Sequence, residues 1–195
     1  MGKIILCRGK KADTPLTVLQ TGVKLYTAEE LCYYIYNNIY LIGQDFIDDN
    51  LISFLDETGE KELAERVRKL KETGGSLAQI FVIILKTIDY YSVAEIEQLK
   101  EILNTLGKQS VCERLKARGD GYLNAGYYFA AVRCYESIIK DYKGKDLLAA
   151  DYAKVYHNMG TAYARMFMYD KAVIYYDEAY RTGQHEESKK CSIAA

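Results

Sequence analysis

The stretch that organises this chain is residues 151–181, DYAKVYHNMGTAYARMFMYDKAVIYYDEAYR. Numbered from Ala153 as position 1, it sets rings and small residues at fixed positions: Tyr156 at 4, Met159 at 7, Gly160 at 8, Tyr163 at 11, Ala172 at 20, Tyr176 at 24 and Ala179 at 27. A second and weaker copy of this pattern begins 41 residues earlier, at Cys112. The pattern therefore indicates an internal repeat.

Both copies resemble the tetratricopeptide repeat, a unit of about 34 residues that folds as two antiparallel helices. In the first copy the matching residues are Gly119, Tyr122, Ala131, Tyr135 and Ile138, at positions 8, 11, 20, 24 and 27. The resemblance spans residues 112–145 and 153–186, which is under half of the chain. It implies that the small residues let the two helices approach and that the rings fill the gaps between repeats.

The sequence departs from the family pattern in a few places. In the second copy, Tyr156 replaces the usual Trp and Gln184 replaces the closing Pro. In the first copy, Leu115 replaces the first aromatic residue and Arg118 replaces the usual Leu. The copies are also separated by seven extra residues near 144–150, which equal about two helical turns. The first helix of the second copy is therefore predicted to be extended at its start.

Two such repeats seldom bury a continuous core, since about three are normally needed. We therefore predict an all-α, tetratricopeptide-like solenoid of helical hairpins with a short N-terminal extended or β segment. Its predicted parts are residues 1–26 as an extended arm or β-hairpin, 27–107 as a helical half, 108–186 as the two repeats and 187–195 as a flexible tail. We expect these parts to form one continuous helical domain.

The N-terminal half contains several helix signals. Thr27 and Glu30 match a capping box at the start of a helix that runs to about residue 42. Further helices are predicted over 45–57, 60–72, 77–90 and from Ser92 to about 106. The segment 77–90 is apolar nearly all round, so we expect neighbours to bury it on several sides. Two short strands are predicted from the apolar stretches 3–7 and 18–26.

Composition excludes several function classes. The net charge is −1, which does not favour a nucleic-acid partner. The most apolar window, Ile80–Leu85, is followed by Lys86 and is too short to cross a bilayer. Five Cys without a CxxC pair indicate reduced thiols, and two His far from any Cys pair give no metal-ligand spacing. We predict a cytoplasmic protein without a metal or cofactor.

Two features invite a catalytic interpretation. Gly9-Lys10 lacks the first Gly and the Ser or Thr of a phosphate-binding loop, because Ile4 and Lys11 stand at those positions. The basic run at 8–11 is more typical of a solvated turn. His157 would need a nucleophile or a paired carboxylate to act as a base, and the sequence places neither beside it. We therefore predict that the protein is not an enzyme.

The resemblance assigns a set of groove residues, since positions 2, 5, 9 and 12 or 13 of each first helix line the concave face in that family. The candidates are Lys116, Asp120 and Asn124 in the first copy, and Lys154, His157, Thr161 and Arg165 in the second, together with Asn158 at position 6. Some relatives bind a peptide's C-terminal carboxylate through Lys and Asn at positions held here by Lys116 and Asn158. Asp120 replaces another Asn of that clamp and would repel a carboxylate.

The predicted function is a non-enzymatic adaptor that binds a protein or an extended peptide in this groove. A second hypothesis is a regulatory module with a small molecule or nucleotide between the N-terminal helices and the repeats. Its basis is the apolar segment 77–90 and the basic run at 8–11. Formation of a homodimer is a further hypothesis, because the exposed ends of solenoids often pair.

Overall fold

The computed structural model describes residues 7–141 and 147–194. The chain divides into two compact units, Met1–Lys108 and Gln109–Ala195, which are described separately. In the described ranges almost all regular structure is helical, apart from one two-stranded sheet near the N-terminus. The prediction of an all-α fold with short N-terminal strands is therefore confirmed. The unit boundary lies one residue beyond the predicted one, and the single continuous domain stays a prediction.

The small sheet is a hairpin that begins at Leu16, two residues before the second predicted apolar stretch. Strands β1 (Leu16–Val18) and β2 (Val23–Leu25) are antiparallel, with Leu16 opposite Leu25 and Val18 opposite Val23. Gly22 has φ +70° in the turn, a conformation that Gly adopts at little cost. The prediction that 3–7 would supply a strand is wrong for Cys7, and residues 3–6 lie outside the described ranges.

Five helices complete the N-terminal unit: α1 (Ala28–Asn37), α2 (Asp49–Glu57), α3 (Lys61–Glu72), α4 (Leu77–Ile88) and α5 (Val93–Lys108). The predicted capping box at Thr27 is present. The first helix ends earlier than predicted because the backbone leaves the helical conformation at Asn38, where φ is −126° and the side-chain N–H also donates to the Tyr34 carbonyl. The second begins later because the Asp48 side chain caps it by accepting from the Leu51 N–H. A 3-10 turn, Gln44–Phe46, lies between them.

Helix α4 is central in this unit and packs against α1, α3 and α5. Its four fully buried side chains are Ile80, Phe81, Ile84 and Leu85. They join one core with apolar residues of both strands and the other helices. The prediction that neighbours bury α4 on several sides is confirmed by these three helices, although Val82 and Ile83 on its remaining face are only half-buried.

The C-terminal unit contains five helices in its described residues: α6 (Val111–Asn124), α7 (Tyr128–Asp141), α8 (Ala149–Arg165), α9 (Tyr169–Gly183) and α10 (Glu186–Ala194). Each packs against its successor. Helix α8 begins one turn before Ala153, with Leu148 as its N-cap, so the extension is one turn and the prediction of two turns is wrong. The predicted flexible tail is corrected, because residues 186–194 are helical and pack on α9 with Ser188 fully buried.

The two hairpins α6–α7 and α8–α9 share the same internal contact. A Cβ added to Gly119 would lie 2.6 Å from the Tyr135 ring, and one added to Gly160 would lie 2.7 Å from the Tyr176 ring. Real Cβ atoms do not approach carbon this closely, so only Gly fits beneath each ring. The expected role of the small residues in helix approach is therefore present in both copies.

The turns inside the two hairpins also match. Tyr127 N–H donates to the Tyr122 carbonyl in one turn, and Met168 N–H donates to the Tyr163 carbonyl in the other. This bond, with a left-handed residue just before it, is a Schellman ending. That residue is Gly126 at φ +83° in the first hairpin and Phe167 at φ +60° in the second. Phe167 keeps this conformation although it is a large, exposed side chain.

The contact beneath the Tyr176 ring predicts the effect of one methyl group. We expect Gly160→Ala to lower the free energy of unfolding by about 1–2 kcal/mol, because overpacking outweighs the better helix propensity of Ala. The matched control is Gly107→Ala in α5, where an added Cβ meets nothing within 4 Å. It should be neutral or stabilising by about 0.5 kcal/mol. Urea denaturation of both variants measures this, and equal effects would contradict the contact.

Candidate protein-binding site

The structure divides the eight predicted groove residues into two classes. Asn124, Lys154 and Arg165 are exposed, whereas the other five are half-buried: Lys116, Asp120, His157, Asn158 and Thr161. Asp120, Asn158, His157 and Thr161 form hydrogen bonds between helices of the C-terminal unit, and Lys116 binds Asp120 within α6. They therefore serve the packing of these helices, which the sequence did not indicate.

Asp120 is the centre of the first cluster. Its Oδ2 accepts from Lys116 Nζ at 2.8 Å, and its Oδ1 accepts from the Tyr135 hydroxyl at 2.7 Å and from Asn158 Nδ2 at 2.8 Å. Burial raises the pKa of Tyr135, and the bond to the Asp120 carboxylate raises it further, so its hydroxyl keeps its proton. The carboxylate thus joins α6, α7 and α8.

This cluster changes the interpretation of the carboxylate clamp. Lys116 and Asn158, the two residues that match the clamp, both bind the Asp120 side chain. An internal carboxylate therefore takes the donors that a peptide's C-terminal carboxylate would need. A ligand carboxylate would have to compete with Asp120 for these donors and would be repelled by its charge.

The second hairpin contains a related but uncharged arrangement. The Tyr176 hydroxyl donates to Thr161 Oγ1 at 3.2 Å, just as Tyr135 donates to Asp120, 41 residues earlier. Thr161 in turn donates to the His157 carbonyl at 3.1 Å. Burial raises the pKa of Tyr176. In both hairpins the tyrosine hydroxyl at repeat position 24 therefore donates to the side chain at repeat position 9.

His157 belongs to a cluster that the sequence analysis missed. Its Nδ1 lies 2.9 Å from Ser188 Oγ, and the Nδ1 of His185 lies 2.8 Å from the same oxygen. The two rings are 4.8 Å apart. A hydroxyl can donate once, so one imidazole accepts from Ser188 and the other donates to it. The signal was hidden because Ser188 lies in the segment predicted to be a tail.

The basic segment near the N-terminus does not form a phosphate cradle. The backbone N–H groups of Arg8 and Gly9 donate to Glu29 Oε1 at 2.7 and 2.8 Å. Burial alone would raise the pKa of Glu29, but these backbone bonds outweigh it and hold the pKa below its usual value. Lys11 lies over the Tyr26 ring at 4.6 Å. The backbone donors of Arg8 and Gly9 are therefore already taken by a carboxylate.

Within residues 7–141 and 147–194, no group of three or more His, Cys, Asp or Glu side chains could hold a metal ion. In that part of the chain no helix has the length and apolar character of a membrane span. Comparison of the chain with protein-family models, curated proteins and solved structures finds no match. The family resemblance therefore stays a prediction.

The Asp120 cluster predicts a large effect of a single truncation. We expect Asp120→Ala to lower the free energy of unfolding by about 2 kcal/mol, because three donors lose a charged acceptor. The matched control is Asp151→Ala, whose carboxylate pairs with Lys154 at 3.9 Å on the surface. Such pairs contribute about 0–1 kcal/mol. Thermal and urea denaturation measure both variants, and an Asp120 effect no larger than the Asp151 effect would refute the cluster.

The His157 cluster predicts a pH dependence. Burial lowers the pKa of His157, and the neighbouring His185 lowers it further against a smaller opposing effect of Glu187. The unfolded chain therefore binds this proton first, so stability is present above the usual His range and falls as the pH decreases through about 6.5. The free energy of unfolding should decrease between pH 7.5 and 5.5, less steeply in His157→Gln. Parallel curves for the two proteins would contradict this.

Proposed function

We propose that residues 112–186 are two degenerate tetratricopeptide repeats and that the C-terminal unit is a non-enzymatic adaptor that binds a protein or peptide. The observation that carries the proposal is the repeated Gly–Tyr contact. In both hairpins a Gly at position 8 lies under a Tyr at position 24, and that Tyr donates to position 9. This is the close helix approach that the family pattern requires, found twice at the same spacing.

The contact residues of this adaptor differ from the full predicted set. Asp120, Asn158 and His157 are engaged in bonds between helices, so they are poor candidates for direct contact with a ligand. Lys154 and Arg165 are exposed on α8 and lie about three turns apart along one helix. We therefore assign recognition to the exposed polar residues of α8. A peptide laid along that helix would reach both cations.

The state of the cysteines indicates the compartment in which the protein acts. All five cysteines are reduced: Cys7, Cys32, Cys112, Cys134 and Cys191. Cys32 and Cys112 are buried, and burial raises the pKa of the Cys32 thiol, which suppresses its reactivity. Free thiols are typical of a reducing compartment. These thiols support a cytoplasmic adaptor.

The test begins with selection of peptides from a displayed random library on the full chain. The affinity of a selected peptide is then measured by calorimetry for wild type and for Lys154→Ala/Arg165→Ala. We expect at least about a tenfold loss, because both cations would contact the ligand.

The matched control removes two exposed cations from the second helices, Lys140→Ala/Arg181→Ala. It should change the affinity by less than about twofold. His157→Ala serves as a second control, since it alters α10 packing and leaves the two cations in place. Failure to select any peptide, or equal losses in the two double variants, would refute this function.

A further inference from the structure

Helix α4 leaves an apolar face in an open trough within the N-terminal unit. Val82, Ile83 and Ala78 form the apolar floor, with Leu70 of α3 on one side. The trough has a volume of about 840 Å³, and its lining residues are Arg66, Leu70, Ser76, Ala78, Gln79, Val82, Ile83, Lys86, Thr87, Lys100 and Asn104. Helices α3 and α5 form its two walls. The most apolar helix of the chain thus presents aliphatic side chains that its own unit does not fully cover.

The charges around this floor have one sign. Arg66 lies on the α3 wall, Lys100 on the α5 wall and Lys86 near one end of the floor. None of the described lining residues is acidic. Glu97 of α5, outside the lining, pairs with Lys86 at 3.4 Å and with Lys100 at 3.0 Å. It holds both lysines in place and offsets one of the three positive charges.

The dimensions of the trough indicate an elongated occupant. Its floor extends along α4 from Ser76 to Thr87, which is about 16 Å or three helical turns. None of its lining residues is buried, so it is open along its length and does not enclose a compact ligand. A small-molecule site would bury most of its ligand. A helix of about three turns matches the length of this floor.

We propose that this trough binds an acidic amphipathic helix of a partner protein. Aliphatic residues at i, i+3 or i+4 and i+7 of that helix contact Val82 and Ile83. Carboxylates on its two flanks meet Arg66 on one wall and Lys100 on the other. Apolar contact supplies affinity, and the cations select an acidic sequence and its placement. This site is independent of the adaptor face on α8, so either can fail without the other.

The test uses a fluorescein-labelled synthetic peptide of about 14 residues, with Leu at i, i+3, i+4 and i+7 and Glu between. Fluorescence anisotropy with the full chain measures binding. One comparison peptide has Lys in place of Glu, and another has the same composition in an order that forms no apolar face. We expect the acidic amphipathic peptide to bind at least about tenfold more tightly than either.

Matched variants then locate the site. Arg66→Glu and Ile83→Gln should each weaken binding by about tenfold or more. Lys69→Glu reverses a charge on α3 outside the trough, and Ile102→Gln changes an exposed aliphatic residue of α5, so both should retain affinity. Equal binding of the Lys peptide or the reordered peptide would overturn the proposal, as would equal losses in the control variants. A concentration-dependent dimer that Ile83→Gln dissociates would assign the trough to a second copy and also overturn it.

Discussion

The contact of a tyrosine ring with a glycine backbone is the constraint on which the C-terminal unit depends. Each ring lies where a Cβ would be, so the two helices of a hairpin can approach only if the first helix has Gly at that point. The hydroxyl of the same ring then donates to the next residue of the first helix. One side chain thus sets both the distance between the helices and their register. Because the arrangement occurs twice, the hairpins have matching surfaces that can stack.

Two internal carboxylates accept hydrogen bonds from donors that the sequence had suggested for ligand binding. Asp120 takes the donors of the predicted clamp, and Glu29 takes the backbone N–H groups of the basic segment. The Asp120 carboxylate pairs with Lys116 and Glu29 Oε1 accepts two backbone N–H groups, so both carboxylates have a structural role. Besides other surface cations such as Lys140 and Arg181, accessible cations lie on the exposed side of α8 and around the trough above α4. The two proposed binding sites use these cations, one against a peptide along a helix and the other against a helix in a trough.

Patterns with a local cause could be predicted from the sequence. The repeat spacing predicted a close helix approach at small residues such as Gly160, and the capping box at Thr27 predicted the start of α1. Features that depend on partners distant in sequence could not. Helix α10 has a polar sequence without an apolar stripe, and its docking depends on Ser188 meeting His157 and His185. The half-exposed face of α4 could not be predicted either, because an apolar sequence does not show whether the neighbouring helices cover all of its side chains.

A double-mutant cycle between Gly160→Ala and Tyr176→Leu tests the central contact most directly. Replacement of the ring removes the atoms that the new methyl group would meet. The cost of Gly160→Ala should then fall from about 1–2 kcal/mol to near zero, or become a small gain from helix propensity. This corresponds to a coupling energy of about 1–2 kcal/mol between the two positions. Additive effects, with the same cost of Gly160→Ala in both backgrounds, would contradict the account.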